Sequence, residues 1–179
     1  LAMSPRDYHR LTMCCIWSYL WQHLRPRNID WKRNFVRNEK SLGDKNAFFT
    51  YFDEDPFHRY IGLSLAEISD DFARLRLNVT DNTPTGIGGS VNGGVLATMV
   101  DMAAVAAVFS KAIDGSEPAG TADLSITYLR QAHGEWLDAI ATVIKRGRQL
   151  STISVEIHDD AGRLCSKGQV LYAIRTAIG

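Results

Sequence analysis

Apolar and polar positions alternate over two short stretches that follow Phe57, "IGLSLAEIS" and "DFARLRLNV". In the second, Ala73, Leu75, Leu77 and Val79 fall on one face, and Arg74, Arg76 and Asn78 fall on the other. A period of two marks a strand with one buried face, and the intervening Ser-Asp-Asp is turn chemistry. The pattern therefore predicts two antiparallel strands. "TDNTPTGIGGS" carries the residues of a loop. The next stretch, from Asn92 to about Ile113, is too long for a strand and rich in Ala, Leu and Met, which predicts a helix. It is apolar nearly all round, so it is expected to be buried nearly all round. Four strand-like segments follow: "TADLSITYL", "EWLDAIATVIKRG", "LSTISVEIHDD" and "RLCSKGQVLYAIR". The breaks between them, "RQAHG", "GRQ" and "DDAGR", suit hairpins and predict an antiparallel meander. Two strands, one buried helix and four more strands give an α+β fold: a curved antiparallel sheet wrapped around one long helix.

Ahead of residue 45 the pattern changes. Met13, Trp17, Leu20 and Leu24 share a helical face, and Pro26 would stop that helix. The segment also holds three of the four tryptophans and an excess of basic residues. Residues 1–45 therefore read as an N-terminal extension, partly helical or irregular, lying on the domain or on a partner. A membrane-surface anchor is the alternative. Residues 46–179 read as the folded domain.

Composition narrows the field. The chain has 179 residues and no formal net charge at pH 7, so nothing global points to nucleic acid or an anionic membrane. Cys14, Cys15 and Cys165 are too few and too poorly spaced for a disulfide framework, and no Cys/His pair has zinc spacing. No metal is expected, and a reducing, cytoplasmic setting is. The most apolar run, "VNGGVLATMVDMAAV", is interrupted by Asp101, so no membrane span is expected either. An isolated carboxylate in such a run is costly to bury unless paired, and perturbed carboxylates concentrate at working sites. Pairing to Thr98 or to backbone is the purely structural alternative.

The element order and the residues Asn92-Gly93-Gly94, then "VLATMV", then Asp101, resemble the hotdog fold. More narrowly, they resemble acyl-CoA thioesterases of the phenylacetic-acid-degradation type, as do "TADLSITYLRQA" and "IKRGRQ" further on. The resemblance covers roughly residues 57–175. Members carry His-Gly-Gly at the helix start, so Asn92 stands here in the histidine position. Some also place an asparagine upstream; that position falls near Gly86, and Asn82 is the nearest asparagine.

What this resemblance implies is hydrolysis of a small acyl- or aryl-CoA thioester. No cofactor is expected beyond the coenzyme A of the substrate. The Gly93 N–H is expected as oxyanion donor, since leading helix N–H groups lack intrahelical partners and sit at the positive end of the dipole. Gly93 and Gly94 let a carbonyl approach the backbone closely. Asp101 is expected as the base or nucleophile. It lies nine residues beyond Asn92, a rise of about 13 Å, so it is poorly placed to serve its own helix start. The resemblance implies a homodimer, or a dimer of dimers, with the site shared across subunits. Thr121 is expected to help hold the water. Arg130, Arg146 and Arg148 are candidates for the phosphates of the coenzyme A tail. Asn92 is read either as an N-cap or as a ligand of the thioester or water. Two other readings stand beside this one. A hydratase on the same fold would want a histidine near the helix, whereas none lies between His58 and His133. A non-catalytic acyl-CoA-binding or interaction domain is the other.

Overall fold

A computed structural model describes residues 52–111 and 116–176. The proposed division of the chain at residue 45, and the extension before it, lie outside the described residues. The first described elements are a short helix α1 (Pro56–Ile61), β1 (Leu63–Ser69) and β2 (Phe72–Asn78). A 3-10 turn at Ile87–Gly89 follows, then the long helix α2 (Gly93–Phe109). Four strands complete the order: β3 (Ser116–Tyr128), β4 (Trp136–Arg146), β5 (Leu150–Asp159) and β6 (Leu164–Thr176).

The strands form one six-stranded sheet in the order β1-β2-β4-β5-β6-β3, antiparallel at every junction. The period-two reading holds for β2, where Ala73, Leu75 and Leu77 are fully buried while Arg74 and Arg76 face outward. In β1 an irregularity between Leu65 and Glu67 breaks the alternation, and Leu63 is its one buried residue. β4, β5 and β6 form the expected meander. β3 does not: it pairs with β6, with Leu124 opposite Val170 and Tyr128 opposite Ser166. The edge of β4 that a meander would have offered to β3 is occupied by β2, with Leu75 opposite Ala139 and Leu77 opposite Leu137. All four of these side chains are fully buried. On the other face of the same junction Arg76 grips Asp138 through Nε and Nη2, both at 2.8 Å, and its guanidinium lies 3.9 Å from the ring centre of Trp136. "RQAHG" is therefore part of a connection between distant strands, not a hairpin.

α2 packs against all six strands. Val95, Leu96, Met99, Val100, Ala103, Ala104, Ala106, Ala107 and Val108 are its buried positions. Small side chains let sheet and helix approach: a Cβ placed on Gly168 of β6 would lie 2.5 Å from a γ-carbon of Val100. Burial is not complete all round, because Thr98, Asp101, Met102, Val105 and Phe109 form a half-buried stripe along one side.

The helix stops at Phe109, short of the expected Ile113. Ser110 caps it, donating from Oγ to the Ala107 carbonyl at 2.7 Å and accepting the Asp71 N–H at 2.8 Å. Arg146 donates to the Val108 and Ala107 carbonyls at 2.9 and 3.3 Å and is bonded to Asp71 through Nε. These contacts satisfy carbonyls that have no intrahelical partner and set a cation at the negative end of the dipole.

Candidate active site

The N-terminus of α2 is built by Asn92. Its backbone is extended, and its side-chain oxygen accepts the Gly94 N–H at 2.8 Å, an ordinary N-cap arrangement. Its carbonyl accepts from Val95 and Leu96 at 3.0 and 3.2 Å, and its own N–H donates to the Pro84 carbonyl at 2.9 Å. Val91 is tied to Ala132 in the same way at 2.9 Å. The Gly94 N–H is thus occupied, whereas among the described residues no acceptor lies on the Gly93 N–H.

Gly93 borders a cavity of about 520 Å³. Ile87, Val91, Leu96, Leu129 and Ala132 give it apolar walls, Arg130 and Gln131 add polar groups, and Tyr128 closes one side. The Tyr128 hydroxyl donates to the Gly93 carbonyl at 2.9 Å, and a Cβ on Gly93 would meet its ring at 3.4 Å.

Asp101 lies on the half-buried stripe of α2. It accepts a hydrogen bond from Thr121 Oγ1 at 2.6 Å. The anticipated Thr98 partner is engaged elsewhere, donating to the Gly94 carbonyl at 3.0 Å. Tyr172 is also close: burial, and then the charge of Asp101, push its phenol up to about 12. Tyr172 therefore stays protonated at neutral pH and offers no competing base.

The structure brings some predicted residues together and separates others. Asn92, Gly93 and Arg130 share the cavity, and Asp101 and Thr121 form a hydrogen-bonded pair. Asn82 lies in an exposed turn, its N–H donating to Thr80 Oγ1 at 3.3 Å, and it does not line the cavity. Arg146 is held at the C-terminal end of α2, and Arg148 is exposed in the β4–β5 turn. Within one chain neither arginine borders the cavity. Among the aromatic residues considered for pocket shape, Tyr128 lines the cavity. Phe109 instead packs edge-on against Tyr172, and Trp136 lies under Arg76. The bond from Tyr128 to Gly93 was not foreseeable from spacing, because the two residues are 35 apart in sequence. Among the described residues no group of acidic, His and Cys side chains is placed to hold a metal ion. No described helix is long and apolar enough to cross a membrane.

A curved antiparallel sheet around a helix with a Gly-Gly start is the hotdog architecture of thioester hydrolases. The sequence profile of the thioesterase superfamily matches residues 88–166. A Halobacterium salinarum protein provisionally named an esterase is 32% identical over 113 residues, covering 60% of this chain and 73% of that protein. The medium/long-chain acyl-CoA thioesterase YigI of Escherichia coli is 25% identical over 152 residues, covering 76% of this chain and 95% of its own. A crystal structure of a thioesterase-superfamily protein superimposes with a TM-score of 0.63 at 30% identity, covering 76% of this chain and 99% of the other. The chain belongs to the thioesterase superfamily.

Proposed function

We propose that the chain is an acyl-CoA thioesterase whose acyl group lodges in the cavity beside Gly93. The observation that carries this reading is the Gly93 N–H, the unpartnered leading donor of a buried helix, bordering an apolar cavity. The thioester oxygen accepts from that N–H. Asp101 takes a proton from water as the water attacks the thioester carbon, and Thr121 holds the carboxylate in place. Charge builds on the oxygen where the donor and the helix dipole stabilise it. The tetrahedral species then collapses with cleavage of the carbon–sulfur bond. The sulfur takes up the proton, releasing a carboxylic acid and the coenzyme A thiol.

Asp101 serves the neighbouring subunit's Gly93 in this scheme, since about 13 Å of helix separates it from its own helix start. Two features support a homodimer. Among the described residues β3 is an edge strand paired on one side, through β6, and unpaired edges invite another strand. Beside Asp101, Met102 and Val105 leave apolar surface half-covered on α2. The name of YigI favours medium or long acyl chains over the small or aryl groups expected from resemblance.

The test is hydrolysis of short-chain, medium-chain and aryl-CoA thioesters by the wild type and by Asp101→Asn. The wild type is expected to cleave at least one class, with kcat lower by roughly 10²-fold or more in the variant, as for loss of a positioned general base. No hydrolysis by the wild type above the variant on any of them sinks the reading.

A further inference from the structure

The first two helical residues of α2 are both glycine, the residue type least able to hold a helical turn by itself. An oxyanion donor carried on such a turn should fray, and a donor that wanders loses most of its value. The structure holds this turn from outside. The Gly93 carbonyl and the Gly94 N–H belong to one peptide unit, and each edge of it is bonded to a side chain. Asn92 Oδ1 takes the N–H at 2.8 Å, and the Tyr128 hydroxyl donates to the carbonyl at 2.9 Å. The preceding unit is held by the Asn92 carbonyl, which accepts from Val95 and Leu96. With both units flanking the Gly93 Cα fixed, the N–H left over is the one facing no acceptor among the described residues.

We propose that Tyr128 is a positioning residue for the reaction: its hydroxyl fixes the Gly93–Gly94 peptide, and its ring, a wall of the cavity, ties acyl binding to the alignment of the Gly93 N–H. This rests on the reading of Gly93 as oxyanion donor. Tyr128 does not touch the reacting atoms. Its hydroxyl is directed at backbone, and its ring stands 3.4 Å from where a Cβ on residue 93 would lie. It stands at the end of the edge strand β3, so it reaches the helix start from a different element than the one it steadies.

The experiment compares wild type, Tyr128→Phe, Tyr128→Ala and Asp101→Asn on butyryl-, octanoyl- and dodecanoyl-CoA. It is combined with thermal melting and backbone amide exchange of the full chain. Tyr128→Phe keeps the wall and loses the bond. It is expected to lower kcat by about five- to tenfold, the worth of one hydrogen bond, with KM and the melting temperature little changed. Exchange should rise at Gly93–Ala97 and not in the sheet. Tyr128→Ala removes the wall as well and is expected to raise KM, most for the longest chain. Unchanged kcat in Tyr128→Phe, with Asp101→Asn inactive, overturns the positioning role while leaving the thioesterase reading intact. A fall in melting temperature with protection lost across the sheet also overturns it, since the bond would then be a general structural one. A wild type inactive on all three substrates overturns the thioesterase reading and this proposal with it.

Discussion

Asn92 stands where resembling enzymes carry histidine, and its side chain is committed to the Gly94 N–H as a helix cap. A side-chain amide neither gains nor loses charge near neutral pH and cannot act as general base, so in the proposed scheme the proton transfer falls to Asp101 and the oxyanion to the Gly93 backbone. The backbone contribution can be removed without a change in fold. Gly93 is the first helical residue, where proline is well tolerated, and Asn92 before it already has the extended conformation that proline requires (φ −60°, ψ 139°). Gly93→Pro therefore deletes the donor and sets its Cβ against the Tyr128 ring at 3.4 Å, an ordinary contact distance. Its kcat is expected to fall about 10²- to 10³-fold, with the far-UV circular dichroism and melting temperature kept. Wild-type turnover in that variant would rule out Gly93 as donor. The sequence made Asp101 conspicuous because one charge in an apolar run is easy to see. Thr121 drew notice through resemblance. The hydroxyl of Tyr128 drew none, since a tyrosine at the end of a strand looks like any other until the fold sets it against the helix start.

For single elements, the sequence was most informative where the pattern is local. Alternation located β2 because one of its faces meets the core and the other faces outward. β1 was located as well, though an irregularity between Leu65 and Glu67 interrupts its period. It could not tell which strand β3 would join, since that depends on which sheet edge is still open once β2 has taken β4. The end of α2 was misjudged for a related reason: the residues that stop it, Asp71 and Arg146, come from β1–β2 and β4. Close contact between α2 and β6 gives a stability test. Gly168→Ala would drive a methyl group to 2.5 Å from Val100, a stiff and fully buried side chain. It is expected to cost about 1–3 kcal/mol in a urea melt. Two carboxylates link strands to acid stability. Burial alone would raise Asp138 and Asp159. Hydrogen bonds from Arg76 and Arg74 to the first, and from the Arg163 backbone and side chain and the Ala161 N–H to the second, hold both below the ordinary carboxylate range. A carboxylate depressed in the folded state stabilises fully above its unfolded pKa, about 3.9, and that contribution is lost as pH falls through the folded value. The urea midpoint is therefore expected to be flat above about pH 5 and to drop below about pH 4. Asp138→Asn should lower the midpoint at pH 7 and soften the acid drop; an unchanged acid profile would show that Asp138 does not carry it.

For the whole molecule, the proposed sharing of the site between subunits has a consequence that no single-chain variant reveals. Asp101→Asn and Gly93→Pro spoil different halves of each site. In a dimer containing one of each, both defects fall in one site and the other is intact. Differently tagged variants, co-expressed and purified through both tags, are expected to regain about half of wild-type turnover per dimer. Mixed dimers as inactive as either parent would place both groups in the same chain's site. The strand order has another consequence, which belongs to the time before any dimer exists. β3 leaves the ribosome ahead of β4 and β5, yet its partner among the described strands is β6, which is made after both of them. At about 5–20 residues per second, the nascent chain spends seconds with an apolar helix half-clothed and a thirteen-residue strand unattached. The edge of the described sheet is thus also the point where an unfinished chain is most open to a wrong partner, and loss of β6 would leave β3 permanently in that state.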